Sequence, residues 1–191
     1  MTKILYLYNK DNWALHNVGK VWFSNVPDNF LIDMLNYHSI VHNFDEFCKN
    51  YDYVWFGYLY MYMKFNYSPR RSIISIHDPM EIFPQVLEWK STPPLEKNIK
   101  ILRSLRYVST VSVELFEELQ NNNIKSSVLS TTTLLPFRGA DQIKKNNPPI
   151  IISIAGVYPR KNLELLHSIA SELNKRNIAY KFKIGQQILP E

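Results

Sequence analysis

Arg160 and Lys161 stand beside Asn162, directly before the run "LELLHSIASELNKR". Leu163, Leu166, Ile169, Ala170 and Leu173 recur there at helical spacing, so Asn162 reads as an N-cap and the two cations flank a helix N-terminus. The aligned peptide dipoles already give that end roughly half a positive charge, which makes cations locally unfavourable. An anion would resolve the conflict, because free amide N–H groups and two cationic side chains together form a site for a phosphate or diphosphate. The alternative is a solvated basic turn with Glu164, in the first helical turn, offsetting the dipole. Charges near exposed helix ends cost under about 1 kcal/mol, so electrostatics alone leaves both readings open.

A second group of candidates follows from strand ends. The apolar run "SIISI" leads into His77 and Asp78, and Pro79 ends the extended segment. Ligands of parallel sheets gather beyond the carboxyl ends of strands. His77 therefore reads as a hydrogen-bonding group for a ligand, or as a histidine tied to Asp78 or a loop carbonyl, while Asp78 reads as orienting the loop. Trp13, His16, Asn17 and Gly19 follow the first apolar run. Trp13 either stacks on a ligand or staples a helix, and His16 either faces a cleft or rides on a helix surface. Ser112 reads as an N-cap. Lys97, Lys100 and Arg103 form the polar face of a helix, a solvated face in the plain reading and a contact for anionic lipid head groups in the sharper one, with "SPRRS" nearby adding to it.

The elements that must position these residues come from periodicity. "KILYLY", "HSIVH", "YVWFGY", "SIISIH", "YVSTV" and "SSVLS" read as strands, rich in Ile, Val and aromatic residues. Between them "WALHNVGKVWF", "PLEKNIKILRSLR" and "SVELFEELQ" read as helices, with Leu95, Ile99, Leu102 and Leu105 on one face of the second and Leu115, Phe116 and Leu119 on one face of the third. Strands alternating with helices predict an α/β fold with a mainly parallel, doubly wound sheet. The apolar periodicity stops at "PFRGADQIKKNNPP", which reads as a linker. It restarts with the strand "IIISIA", the helix already described and the strand "AYKFKIG". The aromatic run "YDYVWFGYLYMYMKFNY" is read as a buried strand leading into a surface that is either sticky or a ligand platform.

The 191 residues are 46% hydrophobic and 20% charged, which excludes a disordered chain. The formal net charge of +5 favours an anionic partner without choosing its class. No Lys/Arg stripe interleaved with aromatics and no nucleic-acid-binding motif is present, so no nucleic-acid partner is expected. Cys48 stands alone, which excludes an internal disulfide framework and a thiolate cluster; it reads as a small apolar filler. No apolar stretch approaches the roughly 20 residues of a membrane-spanning helix. A cytoplasmic chain is expected.

"SIAGVYPRKNLELLHSIASEL" resembles the opening of the C-terminal domain of GT-B glycosyltransferases of the family 4 type. There a strand, a Gly-containing loop and a Pro-Arg-Lys-Asn turn precede an amphipathic helix. "SIISIHDP" is similar to the N-domain strand of that family that ends in His-Asp, "VSTVSVELFEEL" to the strand, serine and helix that follow, and "YNKDNWALHNVGK" to the loop after the first strand. The resemblance implies Rossmann-like domains and a nucleotide-sugar donor whose diphosphate is held by Arg160 and Lys161, with Asn162 and Gly156 beside it. Ala155 stands where the family usually has glycine. It implies that His77 contacts the transferred sugar or the acceptor hydroxyl, and that Trp13, His16, Asn17 and Gly19 line the acceptor side of a cleft.

By the same resemblance the reaction is retaining and needs no metal or other cofactor. The acceptor is a glycan or a lipid-linked glycan, so peripheral contact with the inner membrane face accompanies the cytoplasmic assignment. The family's pair of sugar-binding glutamates belongs to a later part of its second domain. Glu164 with Glu172 and Glu88 with Glu96 share the spacing but lie in the wrong places. The expectation is an N-terminal domain over 1–147 and an incomplete donor domain over 148–191, a truncated transferase with little turnover of its own. A non-catalytic nucleotide- or glycan-binding module is the rival.

Overall fold

The computed structural model describes residues 1–84, 93–129, 150–154 and 163–185. The chain divides into two compact units, Met1–Leu134 and Leu135–Glu191, against the expected division at 147/148. The first unit is α/β. Its six strands are β1 (Thr2–Tyr8), β2 (Phe30–Asn36), β3 (Tyr53–Phe56), β4 (Ser72–Ile76), β5 (Tyr107–Thr110) and β6 (Ser127–Val128). Its helices are α1 (Ala14–Phe23), α2 (Phe44–Cys48), α3 (Leu59–Phe65), α4 (Glu96–Ser104) and α5 (Val113–Asn121). All pairings are parallel, in the order β2-β1-β3-β4-β5-β6. The arrangement is Rossmann-like.

Alternation along the strands sorts the core onto two faces. Tyr6 pairs with Trp55, placing both rings on the face covered by α1, where Trp22 stacks on Trp55 at 5.6 Å and Phe23 meets Tyr6 edge-on at 5.1 Å. Gly19 is buried in this seam, since a Cβ there would lie 2.7 Å from both Tyr6 and Met34. A polar thread crosses the same face: Trp55 Nε1 donates to Ser75 Oγ at 2.8 Å, and Ser75 Oγ shares a hydrogen with Ser109 Oγ at 2.8 Å. On the opposite face Phe56 packs against Phe44 of α2 and Tyr62 and Phe65 of α3. Helices on both faces make the sheet doubly wound, as expected. Cys48 is fully buried, and burial pushes its thiol up to about 12, consistent with a filler.

Two elements differ from the sequence reading. The second strand is "FLIDMLN" and not "HSIVH"; the latter begins in a 3-10 turn, Tyr37–Ile40, because the Asn36 side chain accepts the His38 N–H at 3.1 Å and turns the chain. The aromatic run 51–67 is divided by Gly57 into β3 and the helix α3; Phe56 and Tyr62 are buried in the core, Tyr51, Trp55, Tyr58, Phe65 and Tyr67 pack partly buried against it, and Tyr60 is exposed.

Left-handed turns close several elements, and every residue with positive φ among those described is an asparagine: Asn12, Asn66, Asn123 and Asn177. Asn66 ends α3 at φ 49° and ψ 45°, its N–H donating to the Tyr62 carbonyl at 2.8 Å. Asparagine tolerates this conformation better than residues with an apolar Cβ branch, and glycine better still. Asn66→Ala is expected to lower stability by about 1 kcal/mol and Asn66→Gly to leave it level or raised. Urea unfolding of the two variants tests this; equal losses would show that the turn geometry is not what the residue provides.

The second unit contains β7 (Ile150–Ile154), α6 (Leu163–Lys175) and β8 (Lys181–Gly185), with β7 and β8 parallel. That is the expected β-α-β unit. Among the described residues no helix is long and apolar enough to cross a membrane.

Candidate functional site

Parallel sheets direct all strand carboxyl ends to one edge, and the chain leaves β1 toward β2 on one side while β3 lies on the other. The gap between β1 and β3 is thus a topological switch point, where departing loops diverge and leave a crevice. Gly57 makes that junction tight. Its N–H donates to the Leu7 carbonyl at 3.0 Å, and a Cβ would lie 2.9 Å from that oxygen and 2.7 Å from Leu15.

A cavity of about 500 Å³ opens next to this point, between the ends of β3 and β4, lined by Tyr58, Tyr60, Met63, His77, Met80 and Glu81 among others. Glu81 organises its wall. One carboxyl oxygen accepts the His77 and Asp78 N–H groups at 2.9 and 3.2 Å, and the other accepts the Leu59 N–H at 2.7 Å. Asp78 accepts the Met80 N–H at 3.0 Å, completing a capping box with Glu81. Asn98, buried on α4, donates to the Glu81 carbonyl at 2.6 Å. Burial pushes the Glu81 carboxyl up to about 7, against the three amides that favour its ionised form.

His77 lies between the rings of Trp22 and Tyr58, at 5.7 and 5.6 Å. Burial draws its imidazole down to about 4, so it is neutral at pH 7. Nε2 is shut off from solvent and has no hydrogen-bond partner among the described residues. Closed off in this way, Nε2 is not open to a ligand hydroxyl, and His77 joins the cavity lining through the rest of the residue. Tyr58 and Tyr60 stack on each other at 5.4 Å, and Tyr60 is 47% exposed, so the cavity offers an aromatic surface beside a neutral imidazole. Burial pushes the Tyr60 hydroxyl up to about 12, with the Asn9 side chain of the loop after β1 acting weakly in the other direction.

The other expected residues fall in several places. Trp13 is the N-cap position of α1 and carries Lys10 Nζ over its ring at 4.3 Å. His16 stacks on Tyr8 at 4.5 Å and accepts the Asn12 N–H on Nδ1 at 2.7 Å. Desolvation, then the nearby Lys20, hold it below its usual value despite Asp11. Asn17 donates to the Asn12 carbonyl at 3.1 Å. These three strap the loop after β1 into shape at the switch point. Gly19 is in the α1 seam and not at the open edge. The Asp78 carboxylate caps the following turn, as a residue orienting the loop. Ser112 is the N-cap of α5, accepting the Leu115 N–H at 3.2 Å. Gly156, Arg160, Lys161 and Asn162 lie outside the described residues.

Glu81 and Gly57 were absent from the expected set, while Tyr58 and Tyr60 belong to the aromatic run read as either a sticky surface or a ligand platform. The spacing Asp78-x-x-Glu81 behind a proline is a capping-box signature and could have exposed Glu81; nothing local signals its reach to Leu59. Among the described residues no group of three or more His, Cys, Asp or Glu side chains is placed to hold a metal ion. No protein-family profile matches the chain, and no curated protein matches its sequence.

Proposed function

We infer that the chain is the acceptor-side domain and the start of the donor-side domain of a GT-B glycosyltransferase using a nucleotide-sugar. The observation that carries this reading is the carboxyl-edge cavity in which neutral His77 and the stacked pair Tyr58 and Tyr60 converge. Aromatic faces and uncharged hydrogen-bonding groups suit a glycan. An imidazole near 4 is a weak base, so His77 contacts the sugar or acceptor as a neutral ring and does not deprotonate a hydroxyl. Arg160 and Lys161, with the amides that follow Asn162, hold the donor diphosphate. As the glycosidic bond to phosphate breaks, positive charge grows at the anomeric carbon and negative charge on the departing diphosphate, where fixed cations stabilise it.

Calorimetric titration with UDP, GDP and ADP tests this, beside an Arg160→Ala/Lys161→Ala double variant. The expected result is saturable binding of at least one diphosphate, weakened about 100-fold or more by the double variant, since each charge-assisted contact contributes roughly 1.5–3 kcal/mol. No binding by the unaltered chain would reduce the likeness to one of fold.

A further inference from the structure

The opposite, amino edge of the six-stranded sheet holds another cavity, of about 660 Å³. Three separate crossovers deliver cations to it. Lys49 follows α2, Arg70 and Arg71 form the turn before β4, and Arg106 precedes β5, while Lys3 enters from β1. One carboxylate, Asp52, stands among the lining residues, and its Oδ2 is already accepting the Lys3 N–H at 2.8 Å.

Cations at this edge have an ordinary use, because helices end here and leave carbonyls unanswered. That use accounts for Arg71. Its guanidinium donates to the carbonyls of Cys48 at 3.2 Å, of Asp52 at 3.3 Å and of Tyr51, which are the last turn of α2 and the loop after it. Lys49 is likewise occupied, by Glu46 at 2.5 Å. Lys3, Arg70 and Arg106 are left over: among the described residues none of them forms an ion pair. Arg106 is held in orientation by aromatic rings, with its guanidinium 5.8 Å from Tyr53 and 5.4 Å from Tyr107, and Nε donating to the Tyr107 hydroxyl at 3.2 Å. Like charges gathered in a concave, tyrosine-walled pocket repel one another and raise the local positive potential, which an anion relieves. Two arginine forks match the geometry of a phosphate better than that of any monovalent ion.

We propose that this pocket binds a phosphate-bearing group, either free in solution or on a membrane lipid, through Arg70, Arg106 and Lys3 beside the backbone-anchored Arg71. It lies at the edge opposite His77 and stands independently of the glycosyl-transfer reading.

Two probes separate the sources: calorimetric titration with inorganic pyrophosphate, and co-sedimentation with phosphatidylcholine vesicles containing or lacking phosphatidylglycerol. Arg70→Gln/Arg106→Gln removes two exposed cations that hold no backbone carbonyl, and its urea midpoint checks that the fold is kept. Lys175→Gln/Arg176→Gln at the end of α6 removes the same charge elsewhere. The expected result is binding to at least one probe, weakened by salt and reduced about tenfold or more by the pocket variant but not by the α6 variant. Pyrophosphate binding alone identifies a soluble phosphate, binding to phosphatidylglycerol vesicles alone identifies a lipid headgroup, and both together support the shared chemistry. Binding to neither probe, undiminished binding by the pocket variant, or an equal loss in the α6 variant would overturn the proposal.

Discussion

Glu81→Ala is expected to destabilise the first unit by about 3 kcal/mol, because it strips three amide groups of their acceptor at once and each unsatisfied buried donor costs roughly 1–3 kcal/mol. The Leu59 amide opens α3 while those of His77 and Asp78 follow β4, so the loss also unpins the cavity wall. Glu81→Gln is expected to cost less, since one oxygen remains and only one N–H comes to face a donor. The same residue gives a pH signature. Its folded value of about 7 lies above the ordinary 4.5, so the folded state holds the proton more tightly. The stability this group contributes is fully present below about 4.5 and is lost as pH rises through 7, by at most about 1.4 kcal/mol per pH unit. His77 acts in the opposite sense, its folded value of about 4 lying below the ordinary 6.5, so its contribution grows as pH rises between those values. Urea unfolding across this range, with Glu81→Gln subtracted from the unaltered protein, isolates the carboxyl. A difference that does not change with pH would mean that Glu81 titrates in the fold as it does in the unfolded chain.

The second large effect belongs to Gly57. An alanine Cβ would sit 2.9 Å from the Leu7 carbonyl, which is backbone of the interior strand β1, paired on both sides, and cannot step aside, as well as 2.7 Å from the Leu15 side chain. Gly57→Ala is expected to cost about 1–3 kcal/mol, and Gly57→Val more. Gly19 is the informative contrast. The atoms a Cβ would meet there are the Met34 methyl and the Tyr6 ring, both side chains, and alanine gains roughly 1 kcal/mol of helix propensity over glycine within α1. Gly19→Ala is therefore expected to cost less than Gly57→Ala. Thermal unfolding of both variants decides it, and a reversed order would show that the β1–β3 junction yields more readily than the α1 seam.

The parallel sheet and its main helices were legible because their residues obey one period each. β1, β4 and β5 are short apolar runs, and the apolar faces predicted for α4 and α5 bring Ile99, Leu102, Leu115 and Leu119 into the core. β2 was not legible, since an edge strand with Asp33 inside it and with Phe30 and Leu31 exposed lacks the continuous apolar run of a buried parallel strand. The helix α3 was hidden because seven residues crowded with aromatics carry too few turns to show a period. At the site, His77 and Asp78 were visible as a strand end. The convergence of Glu81 with Leu59, residues 22 apart, is a product of tertiary packing and leaves no local trace.

The interior place of β1 also sets a timetable for synthesis. Its neighbours begin at Phe30 and Tyr53, so β1 leaves the ribosome before either of them and acquires its first partner late and its second later still. At roughly 5–20 residues per second, several seconds pass in which the segment bearing Leu5, Tyr6 and Leu7, all fully buried in the finished fold, travels with both edges open. Until the residues of β3 arrive, this nascent segment is the part of the chain with most need of a holding chaperone.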